Sequence, residues 1–116
     1  MNKIFATLAL GVILAGCAQQ PASITPVAMG DAYTHVSCSK ARQLYDVEAA
    51  RVPSLVKAQK GAVTGDAVGV FLLGVPVSSL SGADLEGEIA TTKGKLLALG
   101  ARMETCGSTP TPVDWG

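Results

Sequence analysis

Leu85, Ile89, Thr92, Leu96, Leu99, Met103 and Cys106 follow one another in alternating steps of four and three residues. That spacing lays side chains along one stripe of a heptad-like helix, so residues 83–106 are expected to be helical. Ser81 and Asp84 have the spacing of a capping pair, and Asp84, Glu86 and Glu88 would sit near the positive end of the helix dipole. Gly94 and Gly100 weaken the helix. A second stretch, residues 38–60, carries a less regular pattern in which Leu44, Tyr45, Val52, Leu55 and Val56 make the buried side. Pro53 breaks the hydrogen-bond ladder there and predicts a kink or interruption near Arg51.

Polar, proline-punctuated segments flank this helical region. Gln19, Gln20, Pro21, Ser23, Thr25, Pro26 and Gly30 show no apolar period and read as a tether. Residues 107–116, with two Thr-Pro pairs, read as a disordered tail. A chain of 116 residues has room for one small domain, and its aromatic content of 4% leaves a thin core that a covalent or membrane staple would help.

At the N-terminus, Asn2 and Lys3 precede an apolar run from residue 4 to 14, too short to span a bilayer stably, and Leu14-Ala15-Gly16-Cys17 follows. This order resembles the signal peptide and lipobox of bacterial lipoproteins. The resemblance implies cleavage before Cys17, a thioether to diacylglycerol on its sulfur and acylation of the new amine. Several acyl chains would make a firm anchor, since one alone binds only reversibly. Ala18 stands where many inner-membrane lipoproteins of Gram-negative bacteria carry Asp, so the resemblance favours the periplasmic face of the outer membrane. The competing reading is an ordinary secretory signal, or an uncleaved one, with a chance cysteine.

If lipid takes Cys17, only Cys38 and Cys106 remain, in a compartment that is oxidising. Pairing them would close the open end of an antiparallel two-helix hairpin. The expected fold class is therefore mostly α, a hairpin stapled by Cys38-Cys106 with a Gly-rich apolar connection. Its boundaries are a signal peptide over residues 1–16, a lipidated N-terminus and tether over 17–37, the hairpin over 38–106 and the tail over 107–116. In that register Lys60 faces Asp84, Lys57 faces Glu86 and Glu88, Glu48 faces Lys95 and Lys40 faces Glu104. Two facings are unfavourable, Arg42 with Arg102 and Arg51 with Lys93. The alternative for the cysteines is two thiols left free or bonded between molecules.

Residues 67–77, Ala-Val-Gly-Val-Phe-Leu-Leu-Gly-Val-Pro-Val, fall at the far end of such a hairpin. Residues 65–82 and the Glu-Gly-Glu-Ile-Ala of residues 86–90 look like a segment of small envelope proteins of Gram-negative bacteria, a resemblance that implies a fold and no activity. Gly61, Gly65 and Gly69 recur every four residues and would give a helix a smooth face. Two readings stand for this apolar stretch. It packs back on the helices through turns at the glycines and Pro76, or Val70, Phe71, Leu72 and Leu73 contact a partner or a membrane.

No chemistry competes with these readings. His35 is the only histidine and has no second ligand beside it, so no metal is expected. Ser78, Ser79 and Ser81 lack a local base, and the glycines have no Gly-Lys-Ser/Thr ending that would cradle phosphate. The mature part balances eight basic against nine acidic residues, which argues against a nucleic-acid partner. The expectation is a non-enzymatic, cofactor-free envelope lipoprotein, bound to the membrane through its lipid and acting as a structural or interaction module for an envelope protein partner. The alternative is a membrane-active or exclusion-type lipoprotein that works through residues 68–77.

Overall fold

The computed structural model describes residues 18–73 and 85–116, with side chains over 18–66 and 85–116. Two helices dominate, α1 over Cys38–Leu73 and α2 over Glu86–Thr105, and among the described residues there is no strand. A 3-10 turn, Pro21–Ser23, precedes them. The expected signal peptide, Cys17, and the expected Ser81/Asp84 capping pair lie outside the described residues.

Helix α1 starts where Ser37 can cap it. The Ser37 hydroxyl oxygen accepts the Lys40 N–H at 3.2 Å, which satisfies one of the donors that a helix start leaves without a partner. The helix then runs on well past residue 60, through Pro53 and Gly61, with no interruption near Arg51. The reason is a seam that the apolar pattern alone does not reveal. Ala41, Tyr45, Glu48, Val52, Leu55, Gln59, Ala62 and Asp66 are spaced alternately by four and three, and all but the partly exposed Glu48 are buried. Burial along that seam outweighs the single ladder bond lost at the exposed Pro53 and the intrinsic penalty of about 1 kcal/mol for a glycine in a helix.

Helix α2 presents the stripe expected of it. Ile89, Thr92, Leu96, Leu99 and Met103 are buried, and Leu96, Leu99 and Met103 join Ala41, Tyr45 and Val52 in one core cluster. Ile24, Leu55 and Ile89 form a second cluster further along. At the C-terminus Gly107, at φ +79°, donates to the Glu104 carbonyl, while Ser108 donates to that of Met103. This paired arrangement turns the chain off the helix and needs a residue that tolerates the left-handed region.

The helices are antiparallel and bonded at one end. Cys38 and Cys106 form a disulfide with their Cα atoms 5.9 Å apart. From there the partners rise on one helix as they fall on the other: Glu48 with Lys95 at 3.4 Å, Arg51 with Glu88 at 2.5 Å, and the Gln59 side-chain oxygen with the Leu85 N–H at 2.8 Å. The two facings that looked unfavourable are resolved locally. Arg42 donates to Ser108 Oγ, Arg102 donates to the Val36 carbonyl, and Arg51 pairs with Glu48 and Glu88 while Lys93 turns to another side of its helix.

Both flanking segments lie against this hairpin. The N-terminal one forms a strap: Ala18, Pro21 and Ile24 are buried, and the Val27 N–H donates to the Ala90 carbonyl at 2.9 Å. The C-terminal one lies over α2 and α1, where Trp115 packs against both core clusters and the Tyr45 hydroxyl donates to the Thr111 carbonyl. Each segment adds main-chain hydrogen bonds and a few apolar contacts, so neither shows a period in the sequence.

Candidate functional site

Two features distinguish this molecule from a bare hairpin, and both involve the strap. The first is the junction beside Cys17. Asp66, on the seam of α1 and 1% exposed, accepts the Ala18 N–H on Oδ2 at 2.7 Å. About two helical turns earlier, the fully buried Gln59 donates from Nε2 to the Gln19 carbonyl at 2.8 Å and accepts the Leu85 N–H on Oε1. One amide side chain thus joins the strap, α1 and the start of α2. A buried polar group is stable only with its hydrogen bonds made, and no described buried side-chain nitrogen or oxygen lacks a partner.

The second feature is a cation held by main-chain oxygens. Lys93 reaches from α2 to the strap, and its ammonium donates to the carbonyls of Pro21 at 2.6 Å and Ile24 at 2.8 Å, with Ala22 at 3.4 Å. Trp115 covers it, with Nζ 5.1 Å from the ring centroid, a cation over a π face. Burial lowers the Lys93 pKa from its ordinary value, because removal from water penalises the charged form. One residue along, Gly94 lets the strap approach. A Cβ there would meet the Val27 carbonyl oxygen at 2.1 Å.

Strap, α2 and tail together line a groove of about 610 Å³, whose walls include Ile24, Pro26, Leu97, Ala101, Glu104 and Trp115. It is mostly apolar, with Lys93 and Glu104 as its charged residues. Tyr45 also borders it, and burial, with a smaller contribution from the Asp46 charge, raises the phenol's pKa. A nucleophile and base in hydrogen-bond contact do not occur in this groove. Among the described residues, no group of three or more His, Cys, Asp or Glu is arranged to hold a metal ion. His35 is exposed in the turn ahead of α1.

Of the residues singled out in the sequence, Cys38 and Cys106 are joined at the hairpin's closed end. Val70, Phe71, Leu72 and Leu73 lie in the last turns of α1, their side chains outside the described residues. The glycine-spaced segment 61–73 is therefore helix rather than turn, which corrects the reading that places turns at Gly61, Gly65 and Gly69. Among the described residues no helix is long and apolar enough to cross a membrane. Gln59, Asp66 and Lys93 escape the sequence reading because each is a polar residue on a buried position. The unbroken four-three spacing from Ala41 to Asp66 is the signal that reaches the first two.

No family model, curated protein or solved structure matches the chain.

Proposed function

We propose that this chain is a lipid-anchored protein of the bacterial cell envelope, held at the periplasmic face of the outer membrane through Cys17, whose stapled hairpin is a structural or interaction module without catalytic chemistry. The observation that carries the reading is how the three cysteines divide. The Cys38–Cys106 bond takes two of them, and the third stands at the end of the lipobox-like Leu14-Ala15-Gly16-Cys17. A structural disulfide belongs to an oxidising compartment, which export by that N-terminus would reach.

The groove beside Lys93 and the exposed Leu97 offers a surface for an envelope protein partner. Metabolic labelling with an alkyne fatty acid tests the anchor. The wild-type protein takes up label, Cys17→Ser does not, and globomycin leaves an uncleaved precursor. A wild-type protein without label overturns the reading. Crosslinking in intact cells, followed by detergent extraction, tests the module and should recover one defined partner.

The uncharged stretch 68–77 supports the membrane-active or exclusion-type alternative. Induced overexpression would then release a periplasmic enzyme, whereas a structural module leaves the envelope sealed.

A further inference from the structure

We infer that Asp66 fixes the point at which the lipid anchor leaves the domain, and so stands the hairpin on the bilayer by its Gly-rich end. In this arrangement residues 67–73 lie against the membrane surface and the Cys38–Cys106 end points away. The inference rests on the reading of Cys17 as the lipidated residue.

A flexible segment from residue 18 to 37 would have a root-mean-square span of roughly 25 Å and would let the hairpin take any orientation. Instead the amide of Ala18 is held by the buried Asp66 carboxylate, and the Gln19 carbonyl by Gln59. Cys17 is one peptide link from Ala18, about 3.8 Å between Cα atoms. The acyl chains must therefore enter the bilayer beside the Asp66 end of α1. The Ala18 N–H belongs to the Cys17-Ala18 peptide, so this hydrogen bond survives cleavage and acylation at Cys17.

The ends of the hairpin differ in the way this orientation requires. No Asp, Glu, Lys or Arg occurs from residue 67 to 73, so the last turns of α1 beyond Asp66 add no charge that a headgroup region would have to solvate. The disulfide end carries Lys40, Arg42, Arg102 and Glu104. From Asp66 back to Cys38 the helix rises about 40 Å at 1.5 Å per residue, so the two ends sit at well separated depths. Residues 67–73 are too few to span a bilayer and would contact its surface layer. Asp66 is a positioning residue here: it touches the anchor's backbone and never the lipid.

The test uses the full-length protein, purified from membranes and reconstituted in phosphatidylethanolamine and phosphatidylglycerol vesicles with and without brominated acyl chains. In a Trp115→Phe background, a single tryptophan is placed at either end of α1, as Phe71→Trp or as Gln43→Trp. The inference expects bromolipid to quench the Phe71→Trp protein several-fold more than the Gln43→Trp protein. Asp66→Asn keeps an acceptor oxygen and preserves the contrast, and Asp66→Ala brings the two positions toward equal quenching while the protein still floats with the vesicles.

Equal or absent quenching at both positions with Asp66 intact overturns the inference, as does full contrast in Asp66→Ala. If Asp66→Ala loses helicity by circular dichroism, the comparison of the two tryptophan positions with Asp66 intact still decides the orientation. Vesicle flotation separates the two levels. Protein that does not float contradicts the anchoring reading, and protein that floats without quenching at position 71 contradicts only the orientation.

Discussion

The Lys93 ammonium donates to the Pro21 carbonyl at 2.6 Å across 72 positions of sequence, and it ties the strap to α2. A hydrogen bond to a charged group contributes about 1.5 to 3 kcal/mol to stability. Lys93→Met keeps the apolar stem and removes the donor. We expect it to destabilise the fold by roughly 2 to 3 kcal/mol and to open the strap to proteolysis before the helices unfold. Urea unfolding and limited digestion check this. An unfolded lysine keeps its proton to higher pH than Lys93 does when buried, so the unfolded chain binds more protons between the two pKa values. Stability from this residue therefore rises with pH through that interval, and Lys93→Met removes the slope.

Gly94 and Gly61 sit in the two helices with opposite surroundings, and alanine should act on them with opposite sign. At Gly94 the new methyl would overlap the Val27 carbonyl, so the strap must shift, at a cost of about 1 to 3 kcal/mol. At Gly61 nothing lies within 4 Å, and alanine gains helix propensity worth about 0.5 to 1 kcal/mol. Thermal melts of the two variants should move in opposite directions.

The disulfide closes a loop of 68 residues, which in the chain-entropy model stabilises the fold by roughly 4 kcal/mol. Cys38→Ser, Cys106→Ser and the double variant should lose similar amounts, because each removes the same bond. Reduction of the wild-type protein should match them. Denaturant midpoints with and without reductant measure the difference.

Tyr45 donates to the Thr111 carbonyl and holds the tail against α1. Its phenol has a raised pKa, first through burial and then through Asp46. The sign follows from the neutral form being favoured in the fold: the stabilisation is complete below the unfolded tyrosine value and is lost as pH rises through the folded one. Tyr45→Phe should lower stability by about 1 kcal/mol at neutral pH and remove that alkaline loss. Unfolding measured from pH 8 upward would show both effects.

Much of the hairpin is legible in the sequence, because Leu85 to Cys106 is a periodic apolar signal and the Glu48 and Lys95 pairing follows once Cys38 and Cys106 are set opposite each other. The length of α1 is not legible from apolar residues, since its seam continues through Gln59 and Asp66, which are buried by virtue of specific hydrogen bonds. The strap is hidden for a related reason. Its attachment uses main-chain carbonyls, one lysine and the space above Gly94, and none of these leaves a period in composition.

The chain just after Cys17 belongs to the folded domain, through Ala18 and Gln19. Amide hydrogen exchange of the full-length protein, followed by NMR at Ala18 and Val27, measures whether this holds. The hydrogen bonds to Asp66 and to the Ala90 carbonyl predict that both amides are protected on the scale of the α2 backbone. Exchange of both at the rate of an unstructured peptide, with α2 protected, would contradict it.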